Sequence, residues 1–163
     1  MNRAVHIKSA EKNDVKAILG LIKDYEPYDV GFAKRYYDTY FGSDKITEKD
    51  EVFVAKIGKE TIGVIGFCRD HFSTDYSYWL GWFVVDEAYR GHKKYEVAKK
   101  LLKRVEDELR RRKIKKLFVS TEDNNTRAKG FYAKSQFRTE AVLRDYYFKD
   151  EDQLILSKVI SER

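Results

Sequence analysis

Two short stretches carry residue types that could do chemistry. Arg90, Gly91, His92, Lys93 and Lys94 precede an amphipathic segment that starts at Val97. A helix beginning there turns unpaired backbone N–H groups and the positive end of its dipole towards those cations, so the loop is a candidate cradle for a phosphate-bearing ligand. The second stretch, 125–137, holds Tyr132. Its phenol can donate a proton within hydrogen-bond reach, or it can serve as a plain core side chain beside Phe131. Asn125 suits the N-cap of the short helix that follows it. Asp70, His71, Asp75, Glu122 and Asp123 could each accept a proton, although turns and surfaces commonly use the same residues. No cluster of Cys and His suggests a metal site, and His6 reads as structural.

Composition frames these residues. The chain has 163 residues, 42% hydrophobic, 37% charged and 15% aromatic, which lies on the folded side of the boundary with disorder. No low-complexity stretch, repeat or Pro/Gly-rich linker marks a boundary, so one domain over 1–163 is expected. A domain of that size buries roughly 70% of the surface its unfolded chain exposes. One cysteine, Cys68, cannot pair internally, and the opening Met-Asn-Arg-Ala-Val-His lacks an apolar leader, so a cytoplasmic location is expected. The longest uncharged run, 76–85, is about half of the roughly 20 residues that a membrane helix needs. A net charge of +6 comes from 33 basic and 27 acidic residues interspersed along the chain, which favours anions without specifying one. The dense run Arg110, Arg111, Arg112, Lys113, Lys115 and Lys116 reads as a solvated helix end in preference to a nucleic-acid patch.

The elements that must position these residues follow from periodicity. Val5, Ile7 and Ser9 predict a strand; Asn13 or Asp14 then caps a helix with Val15, Ile18, Leu19 and Ile22 at helical spacing. A second helix over 31–41 carries Phe32, Tyr36, Tyr37, Tyr40 and Phe41 as a stripe that either fills a core or lines a substrate cleft. Residues 52–57 and 61–68 predict a hairpin around Gly58 and Lys59, and 76–85 a third strand. Val97, Ala98, Leu101, Leu102, Val105 and Leu109 form one face of a helix over 97–113. A strand at 116–121, a helix at 125–135 and strands at 137–148 and 153–160 close the chain. The order βααβββαβαββ predicts an α/β (α+β) fold: a mixed, mostly antiparallel sheet of about six to seven strands, flanked by about four helices.

Residues 83–102, Phe-Val-Val-Asp-Glu-Ala-Tyr-Arg-Gly-His-Lys-Lys-Tyr-Glu-Val-Ala-Lys-Lys-Leu-Leu, resemble the acetyl-CoA motif of the GNAT N-acetyltransferases. There a strand ending in valine leads through Tyr-Arg-Gly into a loop and a long helix. Residues 125–137, Asn-Thr-Arg-Ala-Lys-Gly-Phe-Tyr-Ala-Lys-Ser-Gln-Phe, resemble the family's second signature, Asn-x-x-Ala-x-x-Phe-Tyr followed by Gly-Phe, with Gln136 in place of the glycine. Asp145, Tyr146 and Tyr147, with 152–158, look like its closing hairpin. Their order and spacing carry the likeness over nearly the whole chain.

The resemblance implies a metal-free N-acetyltransferase. It would move the acetyl group of its cosubstrate acetyl-CoA to a primary amine, on a small molecule, a protein N-terminus or a lysine, by direct transfer in a ternary complex. The pantetheine arm would lie beside Phe83, Val84 and Val85 as an added strand, and the pyrophosphate at Arg90, Gly91, His92, Lys93, Lys94 and Ala98. A backbone N–H near Val84 would serve the oxyanion, and Asn125 would contact coenzyme A. Tyr132 would be the general acid, a phenol of pKa about 10 protonating a thiolate whose conjugate acid has a pKa of about 8.5. Where family members often carry a basic glutamate this chain has Trp79 or Ser120, so the base stays open among the groups named above. Trp79, Trp82, Tyr36, Tyr40, Tyr146 and Tyr147 are the candidate cleft residues.

One departure stands out. The family loop reads Gln or Arg, two residues, Gly, one residue, then Gly or Ala, because small residues let the backbone approach phosphate closely. Counting from Arg90 puts Lys93 and Tyr95 at the small positions; counting back from Leu101 puts Glu96 and Ala98 there, with about three extra residues in the loop. The second alignment keeps Leu101, Leu102 and Val105 in register and is preferred. The departure leaves two alternatives open: a degenerate coenzyme-binding member without turnover, and, less favoured, a basic nucleic-acid-binding module. No membrane partner is expected, and a homodimer stays open.

Overall fold

The computed structural model describes residues 4–42, 49–69, 76–93 and 96–161. In chain order its elements are β1 (His6–Ser9), α1 (Val15–Tyr25), α2 (Val30–Tyr40), β2 (Glu51–Ile57), β3 (Glu60–Arg69), β4 (Ser77–Leu80), β5 (Val84–Val85), α3 (Val97–Arg111), β6 (Lys116–Glu122), α4 (Thr126–Lys134), β7 (Arg138–Phe148) and β8 (Glu151–Val159). The alternation matches the sequence expectation with one difference: the third strand divides into β4 and β5, giving eight strands among the described residues. Gly81 N–H donates to the Gly66 carbonyl at 2.9 Å, whereas Val84 pairs with Val64, so three steps on one strand oppose two on the other. That is a bulge, and it ends regular pairing between Leu80 and Val84. Among the described residues no helix is long and apolar enough to cross a membrane.

The chain forms two compact units, 1–68 with 81–108 and 69–80 with 109–163. In the first, β1, β2, β3 and β5 pair antiparallel. The interior strands are buried on both faces, which is why 52–57 and 61–68 read as runs rich in Val, Ile and Phe. One face, with Val52, Val54, Val64 and Val84, packs against Ile18, Leu21 and Ile22 of α1 and Ala33 and Tyr37 of α2. The other receives α3. A Cβ at Gly63 would stand 3.0 Å from Leu101 Cδ1 and 3.1 Å from Val97 Cγ1, so glycine there sets how closely the helix start seats on β3. Leu101 is fully buried, and such burial contributes about 2 kcal/mol.

In the second unit β4 runs parallel to β6, and β6–β8 and β8–β7 are antiparallel. β7 is exposed along most of its length, as an outermost strand with charged residues can be. A bulge between Thr139 and Ala141 aims Glu140 at Lys116 Nζ, 2.6 Å away, and at the Ser157 hydroxyl. Helix α3 stops at Arg111, two residues short of the expected 113. Lys113 takes φ 59°, its N–H donates to the Arg110 carbonyl, and Ile114 N–H donates to Leu109, a Schellman closure.

The start of α1 carries the most buried charge among the described residues of the first unit. Asp14 does not cap α1 directly; its Oδ2 accepts from the Glu11 N–H at 3.0 Å, one half of a capping box. The carboxylate is 3% exposed, ion-paired to Lys56, and 3.7 Å from Lys8 Nζ. Burial alone would raise its pKa; the Lys56 hydrogen bond, the Glu11 N–H and the charges of Lys56 and Lys8 outweigh it and hold the carboxyl below its ordinary 3.8. A carboxyl whose folded pKa is depressed stabilises the fold above the unfolded value and loses that contribution as pH falls through the folded one. Asp14→Asn should therefore lower stability by about 2–3 kcal/mol at pH 7, and the gap to wild type should close below about pH 4. Denaturant unfolding at both pH values checks this; an equal gap at both would show that the pairing is not the cause.

Candidate functional site

Strand β5 owes its geometry to antiparallel alternation. Val84 faces Val64, Val85 faces Gly63, and the Asp86 N–H donates to the Ile62 carbonyl at 2.9 Å. Hydrogen-bonded and non-hydrogen-bonded pairs alternate along such a ladder, so Val84 directs its N–H and C=O to β3, whereas Val85 directs its own to the opposite edge. Among the described residues β5 is paired with β3 only. The strand N–H turned away from β3 is thus that of Val85, next to Val84. The Val85 carbonyl accepts from Arg90 Nε at 3.2 Å and Nη2 at 2.9 Å, and the guanidinium lies 5.2 Å from the Tyr25 ring. Arg90, expected as a phosphate cation, is placed as a clamp from loop to strand.

Beyond Arg90, Gly91 takes φ 76°, and the side chains of His92 and Lys93 are exposed. Lys94 and Tyr95 lie outside the described residues. Glu96 N–H donates to the His92 carbonyl at 3.1 Å, and the Glu96 carbonyl accepts from Lys100 at 3.0 Å. The first-turn N–H groups of α3, from Val97 through half-buried Ala98, have no partner within the helix. Glu96 itself has φ 45°, the left-handed region that favours glycine. Of the two alignments read from sequence, the backbone therefore agrees with the one that puts Glu96 at a small-residue position. Its carboxylate lies 2.8 Å from Lys99 Nζ; that hydrogen bond and the Lys99 charge hold its pKa below the usual glutamate value. A negative side chain thus stands at a helix start that favours anions.

Helix α2 divides its aromatic stripe. Tyr37 is fully buried in the core, while Phe32 is 63% exposed with the Arg35 guanidinium over its ring. Tyr36, Tyr40, Phe41 and Trp82 are half-buried and pack on the core cluster. The Tyr36 ring lies 5.4 Å from Trp82 and stacks 6.0 Å from Tyr40. The Tyr36 hydroxyl donates to Asp50 Oδ2 at 3.1 Å, and Trp82 Nε1 donates to Asp29 Oδ2 at 3.3 Å. Tyr40 Oη accepts from the Val52 N–H at 3.3 Å. Burial, then the Asp50 charge, pushes the Tyr36 phenol far above its ordinary range, so it stays neutral. Sequence reasoning missed both carboxylates: Asp50 stands 14 residues after Tyr36 at the entry to β2, with no spacing signal to join them.

In the second unit Tyr132 is 7% exposed, between Phe131 at 5.6 Å and Phe137 at 5.3 Å. Asn125 caps α4, its side chain accepting from Ala128 N–H at 3.0 Å. Gln136 takes φ 69°; its N–H donates to the Ala133 carbonyl and that of Phe137 to Tyr132, so the helix closes as a glycine would close it. Trp79 stacks on Phe118 at 5.0 Å, and Ser120 is exposed. Tyr146 and Tyr147 meet edge to face at 5.1 Å on an exposed stretch of β7, apart from Trp79 in this unit's strand order. Of the possible bases, Glu122 and Asp123 line an acidic hollow with Asn124, Asp150, Glu151 and Asp152, and Asp123 pairs with Lys129 at 2.8 Å. Asp70, His71 and Asp75 lie outside the described residues.

Residues 16–137 match the profile of the Acetyltransferase (GNAT) family. A search of curated protein sequences gives no match. Solved structures share the fold. A GNAT-family protein of Desulfovibrio desulfuricans superposes with a TM-score of 0.87 at 18% identity, over 97% of this chain and 100% of that one. An aminoglycoside 6'-N-acetyltransferase complexed with coenzyme A gives 0.80 at 16%, over 97% and 98%. The ribosomal-protein-S18-alanine N-acetyltransferase of Escherichia coli gives 0.79 at 19%, over 98% and 96%.

Removing the Glu96 carboxylate should favour a phosphate ligand at the α3 start. Both Glu96→Gln and Glu96→Gly are expected to bind coenzyme A about two- to fivefold more tightly at low salt, the effect of one exposed charge at a helix end. The gain should fade as salt is added. Calorimetric titration at two salt concentrations reads it, and unchanged affinity in both variants would place the ligand elsewhere.

Proposed function

The chain belongs to the GNAT acetyltransferase family, and from that premise we propose that it transfers the acetyl group of acetyl-CoA to a primary amine in a ternary complex. The acceptor is a small molecule or a protein amine, and 1–163 works as one domain. The observation that carries the reading is the Val85 edge of β5, with its N–H turned away from β3 and its carbonyl clamped by Arg90. When bound, acetyl-CoA supplies a thioester already activated for acyl transfer. The chain's own groups do the rest. The pantetheine arm lies beside Phe83, Val84 and Val85, as an added strand would. The first turn of α3, with His92, Lys93 and Ala98, holds the phosphates on backbone N–H groups and positive charge. Fixed backbone donors need no reorganisation as negative charge develops on the acyl oxygen, and the Val85 N–H is the donor we assign there.

Tyr132 is assigned the proton donor for the leaving thiolate, and Asn125 a coenzyme contact as well as the cap. A member that keeps the fold without turnover is the second reading, and Glu96 at the small position is what favours it. One mutant separates the roles of the phenol. Tyr132→Phe keeps the ring between Phe131 and Phe137 and deletes the proton. Turnover should fall by roughly 10² to 10⁴ while acetyl-CoA affinity and melting temperature hold. If the hydroxyl is only a core group, stability should drop by about 1 kcal/mol with turnover nearly intact.

A further inference from the structure

We infer that Asp29, held against the Trp82 indole, is the group that selects the acceptor, and that it takes a positive charge the acceptor carries besides the amine offered for acetylation. This rests on the acetyltransferase reading above. Asp29 ends the turn Pro27–Asp29 and stands at the N-cap position of α2, yet its side chain caps nothing. It is turned instead to Trp82, whose Nε1 donates to Oδ2 at 3.3 Å across 53 residues of chain. Asp29 is half-buried, while Tyr28 beside it and Phe32 one turn on are exposed, so the carboxylate keeps a side towards solvent.

A half-buried charge is costly unless it is paired and hydrogen-bonded. Among the described residues the indole N–H is the one donor to the Asp29 carboxylate, and no Lys or Arg is ion-paired with it. Both cations of α2 are placed elsewhere. Lys34 Nζ lies 2.6 Å from Asp38 Oδ2, and the Arg35 guanidinium lies 4.7 Å from the Phe32 ring centroid. A carboxylate has about four acceptor positions, so one neutral donor orients Asp29 without filling it. In a chain of net charge +6, a carboxylate left without a protein cation beside an aromatic wall seats a cation and repels an anion.

Trp82 directly precedes Phe83, Val84 and Val85, so the indole links Asp29 to the strand assigned to the cosubstrate. The Tyr36 ring, 5.4 Å from the indole, extends that wall. The reacting nitrogen must be neutral to attack the thioester, and a carboxylate favours the charged form of any amine it binds. The charge on Asp29 is therefore a second one, carried on an arm that passes the indole to the reacting amine. The acceptor class is a primary aliphatic amine with a second ammonium or guanidinium group.

The test compares kcat/KM for CoA release with α,ω-diamines, amino alcohols and amino carboxylates of equal chain length, which end in a cation, a neutral group and an anion. Wild type should rank them in that order, the diamine about fivefold or more above the amino alcohol, as a charge-assisted hydrogen bond provides. Asp29→Asn keeps an oxygen for the Trp82 N–H while removing the charge; the diamine KM should rise and its advantage over the amino alcohol fall towards one. Asp29→Lys should reverse the order and favour the amino carboxylate. Melting temperature and acetyl-CoA affinity on the same preparations report that the fold and the cosubstrate site persist. A wild type that acetylates all three alike, an Asp29→Asn protein that keeps the preference, or an intact Asp29→Lys protein with the wild-type order overturns the role of Asp29 alone. Failure of wild type to bind acetyl-CoA or to release CoA with any amine overturns the acetyltransferase reading, and this one with it.

Discussion

One extra residue between Gly81 and Val84 sets the chemistry of the first unit. Gly81 is bonded to Gly66 and Val84 is paired with Val64, so the chain bulges at Trp82 and Phe83 and re-enters the ladder with fixed parity. Parity commits Val84 to β3 and turns Val85 outward. From Val85 the constraint passes through the Arg90 guanidinium to the loop, and from the loop to the start of α3, seated against β3 because Gly63 has no side chain. A shift by one residue would exchange the outward and inward groups and detach the loop from the strand. The bulge also releases Trp82 from regular pairing, which lets its indole meet Tyr36, Tyr37 and Asp29.

Most elements were legible because their signals are local. The α3 face from Val97 to Leu109 and the doubly buried strands announce themselves by period and by β-branched content. The division of β4 from β5 was not: 76–85 is a continuous uncharged run, and a bulge shows only when the partner's register is known. Departures from the family's glycine pattern turned out to be informative. Glu96 and Gln136 stand where small residues were expected, and both take left-handed backbone, at φ 45° and 69°. The geometry is kept while the residue that adopts it most readily is not; a non-glycine residue there stores about 1 kcal/mol of strain or more.

The site itself was legible in part. The motifs singled out Phe83–Val85, the loop after Arg90 and Tyr132, whose roles are proposed above; that the Arg90 guanidinium reaches the Val85 carbonyl had no sequence signal, because charge alone points to phosphate. The aromatic stripe of α2 pointed to the core ahead of a cleft, and the fold places it residue by residue: Tyr37 inward, Phe32 outward, Tyr36 and Tyr40 between. Asp29 and Asp50 gave no sequence signal, since each looks like a turn residue until Trp82 and Tyr36 are seen to donate to it.

The Val85 edge is the proposed seat of the cosubstrate. Amide hydrogen exchange resolved by residue, with and without saturating acetyl-CoA, addresses it directly. The Val85 amide, turned away from β3, should exchange markedly more slowly once the cosubstrate is bound, while that of Val84, already paired with Val64, should change little. Slowing at Val84 with none at Val85, at a saturation confirmed by calorimetry, would contradict the account.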